Sequence, residues 1–136
     1  MYSYEKLQRS KHPCPVIELV AFAPSDKTLI AKTKALIDTG ATVTCVPEKL
    51  ILDLGRRNLV GTKKIVAGAF GDRRPQVNRE AYVVNLQLGR CDFTDIEVVV
   101  LPPDKEYALI GRDILNGFSV TFDAPNGAWS VRAKCK

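Results

Sequence analysis

The sequence is poor in the side chains that most often bind metals or pair with a nucleophile. It holds one histidine, His12, and four cysteines, Cys14, Cys45, Cys91 and Cys135, with no C-x-x-C pair among them. A structural zinc site needs a tight set of nitrogen and sulfur ligands, so none is expected. Cys45 has no histidine near it in sequence and reads as a small core residue, not a nucleophile. No stretch approaches the roughly 18 apolar residues of a membrane-spanning helix. The opening MYSYEKLQRSKHP is polar and basic and lacks the apolar core of a secretory signal. These absences point to a soluble, cytoplasmic protein whose cysteines are expected to be free thiols.

What is present fits one packed domain. The chain has 136 residues, 46% of them apolar and 26% charged, enough for a hydrophobic core and too apolar for wholesale disorder. The formal net charge is +5, with basic pairs at Arg56-Arg57, Lys63-Lys64 and Arg73-Arg74. They are scattered along the chain with few aromatics between them. They read as solvated surface, and a nucleic-acid-binding barrel would rest on charge alone.

The hydrophobic pattern is mostly that of strands. VIELVAF (16–22) is rich in β-formers, APSDKT (23–28) is a turn, and TLIAKTKALID (28–38) continues as a second strand. VPEKLILDLG (46–55) changes to helical spacing, with Pro47 suited to a first helical position and Gly55 to a stop. KKIVAGAFGDRRPQV (63–77) reads as a hairpin tipped by Gly68-Ala69-Phe70-Gly71. AYVVNLQLG (81–89) and CDFTDIEVVVL (91–101) are two more strands about a tight Gly89-Arg90 turn. ALIGRDIL (108–115) is an apolar strand meeting a helical turn, and FSVTFD (118–123) and AWSVR (128–132) flank APNG as a last hairpin. About eight short strands with little helix close into a barrel or sandwich.

One residue sits badly in this pattern. In ALIDTGATVTCV (35–46) the carboxylate Asp38 follows an apolar run and precedes another. Burying an unpaired carboxylate costs several kcal/mol or more, so it needs donors, a partner or a proton. The segment Ala35-Leu36-Ile37-Asp38-Thr39-Gly40-Ala41 resembles the active-site loop of retropepsin-like aspartic proteases. Ala108-Leu109-Ile110-Gly111-Arg112-Asp113-Ile114-Leu115 is similar to that family's second signature, two apolar residues, Gly-Arg-Asp/Asn and a short helix. The glycine-bearing hairpin falls between the two, where the family keeps its flap. Asp-Thr-Gly alone is a weak motif; three elements in the right order on an all-β chain are a strong one.

The resemblance implies an all-β fold: a retropepsin-like acid-protease closed barrel with one short helix, active as a two-fold homodimer. It covers residues 15–132, leaving 1–14 as a polar N-terminal segment and 133–136 as a tail. It implies that Asp38 is catalytic and that Thr39, Gly40 and Ala41 are its scaffold, the threonine bonding across the dimer. Gly68, Ala69, Phe70 and Gly71 become the flap over an extended peptide substrate, and Gly111, Arg112 and Asp113 a structural second signature. No metal or organic cofactor is implied. The chain has a single Asp-Thr-Gly and no Asp-Ser-Gly, so a pair of carboxylates requires a second copy. Retroviral members usually follow the small residue at position 41 with an acid that pairs with the signature arginine; here Thr42 stands there, so Arg112 is expected to be structural with its partner open. The alternative reading is a dimeric peptide-binding module that keeps the fold without the chemistry. Trp129, in the last hairpin, is expected either to anchor an interface or to cap the core.

Overall fold

In the computed structural model, which describes residues 2–7, 11–66 and 77–133, ten strands form one continuous sheet. They are β1 (Tyr2–Glu5), β2 (Cys14–Ala23), β3 (Asp26–Ile37), β4 (Cys45–Val46), β5 (Val60–Val66), β6 (Val77–Leu88), β7 (Cys91–Val100), β8 (Ala108–Ile110), β9 (Phe118–Asp123) and β10 (Ala128–Ala133). Helix α1 (Glu48–Leu54) lies between β4 and β5, and α2 (Arg112–Leu115) between β8 and β9. The strand order is β5-β6-β7-β4-β8-β3-β2-β1-β10-β9, with a further β6–β2 pairing. That last pairing, Leu19 with Leu88 through Phe22 with Asn85, closes β2, β3, β8, β4, β7 and β6 into a ring. The barrel therefore has no open edge along this ring, and β5 and the β1-β10-β9 ribbon extend from it.

Alternation along the strands fills the ring. Leu19, Ala21, Ala35, Val84, Leu86 and Val98 are buried in one cluster, joined by Leu50, Ile51 and Leu54 from α1. Each of the α1 side chains Leu50, Ile51 and Leu54 removed from water contributes about 1.5–3 kcal/mol, which holds a seven-residue helix too short to persist alone. Pro47 precedes α1 as its N-cap, one position earlier than the spacing predicts, and Gly55 ends it at φ 84° with its N–H on the Ile51 carbonyl. A second, smaller cluster of Cys45, Ala81, Val99 and Leu101 lies apart from the first.

The topology places the end of β3 beside the end of β8. These strands run parallel, Ala35 beside Ala108 and Ile37 beside Ile110, while β4 meets β8 antiparallel at Cys45–Leu109. Strand β8 is thus threaded between β3 and β4, and the loop joining β3 to β4 must pass over its end.

Two expectations change, and others are sharpened. The polar N-terminal stretch contains strand β1, paired with β2 and β10 and stacking Tyr2 on Trp129 at a ring separation of 4.6 Å. Trp129 is 2% exposed and caps the core. The helical turn expected after Gly111 is the short helix α2, in addition to the helix expected at 46–55. Cys91 is disulfide-bonded, not a free thiol, whereas Cys45 is a free thiol as expected. The expected flap tip, Gly68, Ala69, Phe70 and Gly71, lies outside the described residues; the hairpin arms β5 and β6 that lead to it pair from Val60–Val83 to Val66–Val77.

Candidate active site

Asp38 directly follows β3 and stands half-buried at the crossing of the two loops. Its backbone N–H donates to the Ile110 carbonyl at 3.0 Å, extending the parallel β3–β8 pairing by one bond. Its own carbonyl accepts from the Ala41 N–H at 3.2 Å, which closes a turn over residues 38–41. Within that turn the Gly40 N–H donates to Asp38 Oδ1 at 3.0 Å. A Cβ on Gly40 would sit 3.3 Å from the same oxygen, so the absent side chain leaves the carboxylate its position. Thr39 is exposed, and its hydroxyl has no partner among the described residues.

The second signature is laced to this loop. The Arg112 N–H donates to the Ala41 carbonyl at 2.8 Å and the Asp113 N–H to the Thr42 carbonyl at 3.2 Å. Gly111 is pressed against the chain, for a Cβ there would lie 2.5 Å from the Val43 carbonyl carbon. The two segments singled out in the sequence are therefore one structural unit, 38–44 against 110–113.

One residue of the site was not legible in the sequence. Thr44 is fully buried and is the one buried polar side chain among the described residues. Its Oγ1 donates to Asp113 Oδ1 at 2.8 Å and accepts from the Gly111 N–H at 3.1 Å, while its backbone N–H donates to Asp113 Oδ2 at 3.0 Å. The Ile114 N–H adds a 2.9 Å bond to Asp113 Oδ1. Asp113 thus holds α2 onto the loop after Asp38. The sequence signal was faint: a lone hydroxyl in the apolar run Val43-Thr44-Cys45-Val46. Thr42 was read only as the residue standing in place of the family's acid. Arg112 Nη2 donates to its hydroxyl at 3.1 Å, so the arginine whose partner was open bonds the same residue that replaces the expected acid.

Thr44→Val is expected to lower stability by about 2–3 kcal/mol, because it leaves the buried Gly111 N–H without its acceptor and removes one of the three donors to Asp113. Thr44→Ser should recover most of the loss. Urea unfolding of the two variants measures the difference.

Cys45 is buried, and burial, then the charges of Asp113 and Asp38, push its thiol up to about 12. At neutral pH it carries no thiolate, which agrees with a core residue and not with a nucleophile. No cluster of metal-ligating side chains occurs among the described residues, and none of their helices is long and apolar enough to cross a membrane.

Residues 31–117 match the family described as "gag-polyprotein putative aspartyl protease", a span that holds both segments of the site. No curated protein sequence matches the chain. Among solved structures the chain is similar to EIAV protease complexed with the inhibitor HBY-793, with a TM-score of 0.53 at 18% identity, covering 81% of this chain and 92% of that one. At that identity the likeness speaks for the fold, which is retropepsin-like.

Proposed function

Because this chain belongs to the gag-polyprotein aspartyl protease family, we propose that it is an aspartic endopeptidase whose dyad is Asp38 of one copy and Asp38 of a second. The observation that carries this reading is the placement of one carboxylate, braced by the Gly40 N–H, at the loop crossing of a retropepsin-like barrel. Hydrolysis of a peptide bond needs one group to take a proton from water and one to give a proton to the carbonyl oxygen. Two close carboxylates that share one proton do both. The ionised one accepts the proton of the attacking water as the other protonates the carbonyl oxygen, and collapse of the tetrahedral species passes a proton to the leaving amine.

A second copy supplies what one chain lacks. An isologous two-fold interface brings the same residue in twice, and the exposed, unpartnered Thr39 hydroxyl is available to it. Substrate binds as an extended strand, held by backbone hydrogen bonds and selected by pockets for alternate side chains. Gly68, Ala69, Phe70 and Gly71 are the residues we assign to its cover, and the cytoplasm is the compartment we assign to the protein. The Thr42–Arg112 bond supports catalysis over an inactive peptide-binding module, because the loop keeps a tie to the second signature without the usual acid.

The test is incubation of the purified protein with a random peptide mixture, read by mass spectrometry over a dilution series. Cleavage is expected, with specific activity falling as dilution separates the copies. Cleavage by a protein that stays monomeric at every concentration would rule out the shared dyad.

A further inference from the structure

Arg112 stands beside the candidate site without a carboxylate. Its backbone bond to Ala41 fixes it next to the loop that carries Asp38, and its side chain is exposed. The guanidinium donates to one neutral group, the Thr42 hydroxyl, and forms no ion pair among the described residues. The neighbouring carboxylate is engaged elsewhere: Asp113 accepts from the Thr44 N–H, the Thr44 hydroxyl and the Ile114 N–H. Asp38 Oδ1 is engaged by the Gly40 N–H. Arg56, by contrast, lies between Glu48 at 3.1 Å and Glu80 at 3.5 Å. A guanidinium presents a planar fork of donors matched to a carboxylate, and most of the Arg112 fork has no acceptor among the described residues.

We propose that Arg112 is a specificity-determining residue that takes an acidic side chain of the substrate, a glutamate or aspartate a few residues from the scissile bond. The proposal rests on the endopeptidase reading above. A peptide laid along residues 38–42 brings its side chains past Thr42 and displaces water from around Arg112, which strengthens a charge pair there. A glutamate offers two oxygens to the fork, and a glutamine offers one neutral acceptor. A basic side chain at the same place is repelled. The net charge of +5 acts in the same direction at longer range, favouring encounter with acidic peptides.

The experiment compares matched peptides that differ only by Glu against Gln, or Asp against Asn, near a cleaved bond. It reads the acid-to-amide ratio of kcat/KM for the unaltered protein, Arg112→Gln and Thr42→Asp. The unaltered protein is expected to favour the acid by about threefold to fivefold, the size of a partly exposed charge pair. Arg112→Gln should bring the ratio to about one, and raised salt should shrink it in the unaltered protein. Thr42→Asp supplies a carboxylate from within the chain and should also abolish the preference, which keeps the test open if Arg112→Gln folds poorly. A ratio of one in the unaltered protein, or a preference that survives both substitutions, overturns the proposal. If no peptide is cleaved, the endopeptidase reading fails by itself. The same peptides, fluorescently labelled, are then titrated against the unaltered protein, where tighter binding of the acid supports the role of Arg112 and equal binding overturns it.

Discussion

Asp38→Asn is expected to lower peptide turnover by about 10³–10⁴-fold while leaving the fold and the association of copies in place. The amide is close in size to the carboxylate, and its carbonyl oxygen can still accept the Gly40 N–H that Asp38 Oδ1 accepts at 3.0 Å. The turn closed by the Ala41 N–H on the residue 38 carbonyl involves no side chain and should persist. What the amide cannot do is take a proton from water. In a two-fold dimer one substitution removes both carboxylates, so no partner is left to carry half the reaction. A mixed dimer with one unaltered copy keeps one carboxylate and should also be nearly inactive, since the remaining group cannot serve as acid and base at once. The measurement pairs cleavage rates with a thermal melt and a sedimentation profile. Turnover within about tenfold of the unaltered protein, from a folded dimeric variant, would place the chemistry elsewhere in the molecule.

How much of this was written in the sequence depends on the range of the interactions. Strand β9 (Phe118–Asp123) matches the reading 118–123, and the turn at Gly89-Arg90 lies between β6 and β7, because alternation and turn residues are local signals. Strand β4 left no trace, since two residues, Cys45 and Val46, have no periodicity; it is a strand because β7 and β8 flank it. Strand β1 was hidden in a polar segment and owes its order to distant groups, the Tyr2 stack on Trp129 and the Tyr4 N–H on the Gly127 carbonyl. At the site, Asp38 was visible because a carboxylate in an apolar run is an energetic anomaly. Thr44 was not, because threonine is an ordinary strand residue and its bonds reach Gly111 and Asp113, far along the chain. The cysteines were read from a general rule about compartments, and that rule failed at Cys91.

The largest effect on stability is expected at Gly111. Its backbone, φ −92° and ψ −179°, is one that any residue adopts, so the demand for glycine is one of space and not of conformation. A Cβ there would lie 2.5 Å from the Val43 carbonyl carbon, 2.6 Å from its oxygen and 3.0 Å from the Thr44 nitrogen. All three are backbone atoms, and no rotamer change relieves the contact. Nor can the strand slide, because β8 is held between β3 and β4 by pairing on both sides. In Gly111→Ala the loop at 41–44 must therefore lift. That movement weakens the Gly111 N–H bond to Thr44 Oγ1 and the Arg112 N–H bond to the Ala41 carbonyl. Overpacking costs about 1–3 kcal/mol and the lost buried bonds about 1–3 kcal/mol more. Against a typical total of about 5–15 kcal/mol the loss should appear as a fall in Tm of roughly 10–20 °C. Gly117→Ala is the control: a Cβ there would meet only the Ile114 carbonyl oxygen at an ordinary 3.5 Å. Gly40→Ala adds a distinction, since the atom it would crowd, at 3.3 Å, is Asp38 Oδ1 at the end of a side chain. The carboxylate can yield where backbone cannot, so Gly40→Ala should spare the melt and reduce turnover, while Gly111→Ala lowers the melt. A Gly111→Ala melt within about 3 °C of the unaltered protein would mean that the two loops are less tightly apposed than these distances require.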